Sequence, residues 1–275
     1  MVLSLITWTK KTIKTLLLSV FSLYLFTVQA QDTGTSTQEN TLAKPTNQVK
    51  FISEDEFMLA GKYYAGKANH SAVLLLHDCS YSAGNYDKLA QRLSSFGLHT
   101  LSLDLRGYGA STSDRFSHVN MKRNTKDINV YQIEFDILKS YWPSDVLSAY
   151  QYLRDKINNK SDIAVVSSGC TASQSILLAQ KRRINSFVMI TPILNYAEKE
   201  HYKNLIDIPI YFIASAHHVN TYQTTKELFE WNGDNHSVFQ LVKGIRQGQS
   251  LLRSKKYLAH DIAAWLDDTL AKKKQ

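Results

Sequence analysis

The stretch Ile163-Ala-Val-Val-Ser-Ser-Gly-Cys-Thr171 decides how this chain folds. Its first four residues are apolar without a break, the pattern of a short strand buried on both faces. A helical pattern opens at about Ala172 and runs to Lys181. Between them, Ser167-Ser168-Gly169-Cys170-Thr171 leaves room only for a tight turn. Strand, tight turn and helix in direct succession is the unit of a sheet whose strands alternate with helices.

The same alternation extends in both directions. Upstream, Val49 to Ser53 and Phe57 to Tyr64 read as a hairpin, and Ala72 to Leu76 and Leu98 to Leu103 as buried strands. Downstream, Ser186 to Ile190, Ile208 to Ser215 and Val238 to Val242 add three more. Helices are expected over Tyr86 to Phe96, Pro143 to Lys156, Thr224 to Trp231 and Leu252 to Ala271. Gly97 closes the first of these, and Pro143 and Asp145 suit the start of the second. Ser111 to Tyr141 is polar and weakly periodic and stands as the one uncertain insertion. The expected architecture is a single α/β domain, with a mostly parallel sheet covered by helices on both faces and no substantial lid.

The ends differ from this core. Lys10, Lys11 and Lys14 precede an apolar run from Leu16 to Val28, and Val28-Gln29-Ala30 has the small-x-small form of a cleavage site. Residues 1–30 therefore read as a secretory signal peptide, the run being short for a membrane span. Residues 31–48 read as a flexible polar leader, and 49–275 as the folded domain. Export to the periplasm or the exterior is the expectation, with no integral span once the signal is removed. The full chain carries net +8; removing three lysines and no acids leaves +5. The cations are scattered along the sequence and read as solvated surface, with no aromatic-interleaved basic motif to suggest nucleic acid. Export also places the only cysteines, Cys79 and Cys170, where thiols oxidise.

Several motifs in this order resemble the α/β hydrolase superfamily, of the serine aminopeptidase and dienelactone-hydrolase-like kind. They are His77-Asp78 after one buried strand, Asp104-Leu-Arg-Gly-Tyr-Gly109 after the next, Tyr141-Trp-Pro-Ser-Asp-Val146 opening a helix, and the turn at 167–171. The last corresponds to the nucleophile elbow, whose pattern is Gly-x-Ser-x-Gly. The resemblance implies a nucleophile at that turn, an acid after a later strand, and a histidine after the last one. It also implies an oxyanion hole formed by the loop after His77 and by the residue following the nucleophile.

Counting forward from the strand and backward from Leu178-Ala179 both put Gly169 in the nucleophile place, and glycine cannot form an acyl-enzyme. A one-residue shift would put Cys170 there instead; Ser168 fits less well. His217 or His218 stands where the acid belongs, with Glu198 or Glu200 as substitutes. Gln247 stands in the histidine place and cannot serve as a general base. His236 lies at the wrong end of its strand, and His260 lies within the final helix. Cys79 and Cys170 occupy the oxyanion-hole-like positions. The resemblance therefore brings them to one hollow, close enough to form a disulfide, the alternative being two reduced neighbours. No metal site or cofactor is expected: a zinc set from His77, His217, His218 and the cysteines has no supporting ligand spacing. Asp104 and Arg106 read as loop-pinning residues, and Tyr81, Tyr86 and Tyr108 as cleft linings.

Three functions compete on this reading. One is a catalytically silent binding protein for a small acyl-type ligand or an envelope protein. The second is a working ester, thioester or peptide hydrolase using Cys170 or another nucleophile. The third is a structural envelope protein.

Overall fold

The computed structural model describes residues 47–158 and 160–272. The signal segment and nearly all of the leader lie outside them. Eight strands form one sheet in the order β1-β2-β4-β3-β5-β6-β7-β8. β1 (Asn47–Ile52) and β2 (Met58–Tyr64) are the expected hairpin, with β1 taking in the last two leader positions. β2 pairs antiparallel with β4 (His99–Asp104). From β4 onward the sheet is parallel, through β3 (Ala72–Leu76), β5 (Ile163–Ser168), β6 (Ser186–Ile190), β7 (Ile210–Ser215) and β8 (Ser237–Val242).

The apolar runs become central strands because each face of the sheet has its own core. Along β3, Leu74 and Leu76 belong to one buried cluster and Val73 and Leu75 to the other. The first cluster packs beneath α4 (Trp142–Arg154), α5 (Ala172–Lys181) and α7 (Val219–Asn232). The second packs beneath α1 (Asp87–Ser95), α8 (Gly248–Ser254) and α9 (Leu258–Lys272). A strand buried on both sides has no polar face to alternate, which is why these segments read as continuous apolar runs.

The uncertain insertion contains two helices, α2 (His118–Asn124) and α3 (Ile128–Ser140), each opened by a side-chain cap from Ser117 and Asp127. Its weak periodicity has a physical cause. α3 turns Leu138 and half-buried Phe135 to the core, yet its opposite face carries Val130, Ile133 and Ile137, which are 45%, 61% and 50% exposed. Apolar residues on both sides cancel the one-sided signal that marks an amphipathic helix. A short helix that was not expected, α6 (Tyr196–Tyr202), is set by a capping box between Asn195 and Glu198. The expected C-terminal helix is two, α8 and α9, separated at residues 255–257. Among the described residues no helix is long and apolar enough to cross a membrane.

The topology places the site. β3 has β4 on one side and β5 on the other, so the chain's progression across the sheet reverses at β3. In open parallel sheets the crevice beyond the strand ends at such a reversal is where ligands bind. The loops after β3, β5 and β8 meet there.

Candidate functional site

β5 runs straight into the tight turn, and Gly169 takes a φ of +56° before α5 begins. That left-handed conformation strains any residue with a Cβ. A Cβ built on Gly169 would lie 3.1 Å from the Cβ of Asp78, a contact the neighbour would have to relieve by moving. Gly248, at φ +49°, faces the same group: its Cβ would collide with a carboxylate oxygen of Asp78. The Asp78 side chain thus fills the space between two left-handed glycines, one after β5 and one after β8.

Asp78 is held there by backbone donors. Its Oδ1 accepts from Ser80 N–H at 2.8 Å and its Oδ2 from Gln249 N–H at 3.3 Å. Its own N–H donates to Gln249 Oε1 at 3.2 Å, and Gln249 Nε2 donates onward to the Ser82 carbonyl. Gly248 N–H donates to Thr191 Oγ1 at 2.7 Å, and Ile193 N–H to the Gly169 carbonyl at 3.0 Å. Burial raises the Asp78 carboxyl above its ordinary value, against the two backbone bonds that favour its anion.

The pocket around this carboxylate has a volume of about 430 Å³. Ile193 and Ile245 supply apolar wall, and Tyr81, Arg246 and Gln247 supply polar rim. Among the described residues its lining contains no imidazole. Cys79 and Cys170 are joined by a disulfide across a Cα–Cα distance of 6.0 Å, so neither sulfur is a thiol. The bond ties the loop after β3 to the turn after β5, and it forms part of the pocket lining.

The remaining expected residues do other work. Ser168 points away, its Oγ accepting from the buried Tyr86 hydroxyl at 2.8 Å. His217 is exposed, and His218 caps α7, its Nδ1 accepting from Thr221 N–H. Gln247 lines the pocket and stands at the N-terminus of α8, its carbonyl accepting from Leu251 N–H. Glu198 is committed to its capping box and Glu200 to an ion pair with Lys203. Asp104 pins two loops by accepting from Ala83 and Ala110 N–H. Of the tyrosines, Tyr81 lines the pocket, while Tyr86 is core and Tyr108 bonds the Cys79 carbonyl. The zinc set is not assembled, because both sulfurs are bonded to each other and both nitrogens of His77 are engaged.

Sequence reasoning assigned no site role to Asp78, Gln249, Gly248 or Thr191. A signal for the first was present: an aspartate follows His77 where the resemblance leads one to expect glycine.

His77 is fully buried at the end of β3. Its Nδ1 donates to the Asp78 carbonyl at 2.8 Å and its Nε2 accepts from Leu105 N–H at 3.1 Å, which fixes the neutral tautomer. Burial pushes its pKa down to about 4. A folded value below the unfolded one means stability that is present above about pH 6.5 and lost as pH falls toward 4, worth about 3 kcal/mol. Asp78, raised by burial, acts in the opposite sense and offsets part of this. Urea unfolding at pH 7 and pH 4.5 should therefore show wild type losing more stability than His77→Gln over that interval. Equal losses would refute the assignment.

The comparisons agree with this architecture. The family model for serine aminopeptidase S33 matches residues 67–243. An esterase from Pyrococcus furiosus superposes with a TM-score of 0.57 at 15% identity, covering 82% of this chain and 90% of that one. An α/β hydrolase from Penicillium sp. sh18 gives 0.58 at 12%, covering 82% and 99%. A monoacylglycerol lipase from Paleococcus ferrophilus gives 0.54 at 12%, covering 77% and 99%. At such identities the structures attest the fold alone, while the family match spans most of the described sheet. With its eight-stranded sheet and positive-φ turn after β5, this chain belongs to the serine aminopeptidase S33 family of α/β hydrolases.

Proposed function

We propose that this protein is exported and uses the pocket at the strand ends to bind a small acyl-type ligand without turning it over. One observation carries the reading: glycine stands at the strained turn where the family's nucleophile would be, and the Asp78 side chain abuts it, with its Cβ 3.1 Å from where a Cβ at 169 would lie. The other parts of a triad are lacking in the same sense. Gln247 replaces a base, His218 is committed to capping a helix, and Cys170 is tied up as a disulfide. Members of a triad act as one unit, so these substitutions together leave no route to an acyl-enzyme. What persists is a receptor: apolar wall from Ile193 and Ile245, an amide at Gln247, and the buried Asp78 carboxyl at its base. A disulfide beside the pocket fits an oxidising compartment, as does the signal-like N-terminus.

The purified protein is expected to show no hydrolysis of short acyl esters or thioesters above buffer, yet to be stabilised by a cognate acyl compound. Ligand at a hundredfold excess over Kd adds about 2.7 kcal/mol, a shift of several degrees in Tm. Ile193→Trp, which fills the pocket from its exposed wall, should abolish that shift. Turnover above buffer that is lost in Cys170→Ala but kept in Cys79→Ala would instead point to a hydrolase using the Cys170 thiol and overturn the reading.

A further inference from the structure

The cations that are scattered along the sequence are not all scattered in space. Lys88 and Arg92 stand one turn apart on α1, Arg253 lies near the end of α8, and Lys256 lies in the turn before α9. All four line one groove of about 450 Å³ between these helices. Leu89, Leu252 and Ala259 also line it, and Leu89 and Leu252 are almost fully buried, so its floor is apolar. The one acid in the lining, Asp87, is already engaged: its carboxylate accepts from Lys62 Nζ at 2.7 Å and from the Tyr64 hydroxyl at 3.0 Å. Among the described residues none of the four cations is in an ion pair. Arg253 is oriented by the Tyr81 ring, 5.5 Å from its guanidinium carbon.

We infer that this groove is a binding site, separate from the pocket at the strand ends, for a small amphipathic anion: an alkyl or acyl chain carrying a phosphate monoester. Four cations outside any ion pair line one concavity and leave it positive, and two of them are arginines, whose planar fork matches phosphate. The apolar floor rewards a ligand with a chain and gives nothing to inorganic phosphate. The volume is that of a small-molecule site, and its concave shape favours a soluble amphiphile over a flat membrane. Nothing in this inference depends on the acyl-binding proposal, since the two sites share no lining residue.

The test is calorimetric titration of the purified protein with decyl phosphate below its micellar concentration. One-to-one binding is expected, weakened at least tenfold in Arg92→Glu/Arg253→Glu and weakened again by raising the salt, which screens the charges. Inorganic phosphate should bind at least tenfold more weakly, and decyl maltoside should not compete. Lys122→Glu/Arg123→Glu, on α2 and outside the groove, should leave the affinity unchanged. Should the first double variant unfold, Lys88→Gln/Lys256→Gln gives the same readout with a smaller loss. The inference is overturned by any of the following: affinity within twofold of wild type in the folded groove variants, equal competition by decyl maltoside, equal loss in the α2 variant, or binding to phosphatidylglycerol vesicles without binding to decyl phosphate.

Discussion

Reducing the Cys79–Cys170 disulfide is expected to lower the unfolding free energy by roughly 4 to 5 kcal/mol. The two residues are separated by 91 positions, so the bond removes a large part of the unfolded chain's freedom. The chain-entropy model puts a loop of that size at about this value. For a domain of this size the loss corresponds to a fall in Tm on the order of 10 to 15 °C. Urea unfolding with and without reductant checks the figure, and Cys79→Ser/Cys170→Ser should reproduce it without any reagent. Thiol titration under native conditions should find none before reduction and two after it. Two free thiols in the oxidised protein, or an unchanged midpoint, would overturn the expectation. Because the bond also holds the loop after β3 against the turn after β5, reduction should speed amide exchange at residues 78–82 more than in the strands of the sheet.

Removing Arg106 should be comparably costly. Its guanidinium is 1% exposed and lies between two carboxylates. Nη1 and Nη2 each donate to Asp55 at 2.6 Å, and Nε and Nη2 donate to Asp145 at 3.2 and 2.7 Å. Phe57 and Tyr141 cover it, their ring centroids 4.3 and 4.4 Å from the guanidinium carbon. Asp145 is wholly buried, so Arg106→Met strands a carboxylate in an apolar site and is expected to cost about 3 to 5 kcal/mol. Arg106→Lys should recover little, because one ammonium cannot serve both carboxylates with four hydrogen bonds. Arg106→Met/Asp145→Leu should recover more than either single change would suggest, since breaking the pair costs more than replacing it.

The pH dependence of that variant has a definite sign. Burial raises the Asp145 carboxyl to about 6 even against the pull of Arg106. Without the arginine it rises further. A folded value above the unfolded one favours the folded state at low pH, so the gap between Arg106→Met and wild type should narrow as pH falls from 8 to 5. In wild type the arginine instead holds Asp55 well below the usual carboxylate range, and that share of the stability is lost only in strong acid.

Much of this was legible residue by residue. The central strands announced themselves because a segment buried on both faces must be apolar throughout, as Val73 to Leu76 and Ile163 to Val166 are. α3 was not legible, because Val130, Ile133 and Ile137 leave an apolar face in solvent that local pattern cannot distinguish from a buried one. α8 and α9 merged for a related reason: their apolar positions serve the same core, and only the cap at Lys255 separates them. The site was half legible. Gly169 and Gln247, singled out by counting along the chain, both line the pocket, whereas His218 caps a helix that begins five residues before the expected start at Thr224.

Taken alone, the order of apolar runs and turns determined the class of sheet, the strand that feeds the tight turn, and the absence of a hydroxyl or thiol at residue 169. Those properties depend on neighbours in sequence, through backbone conformation and short-range periodicity. Only the tertiary structure decided that Asp78 packs against Gly169, that Cys79 reaches Cys170, and that Lys88 and Arg92 share a groove with Arg253 and Lys256. Each of these joins residues about 90 to 170 positions apart, and such contacts exist only once parallel strands have brought their carboxyl ends to one edge and packed helices against both faces.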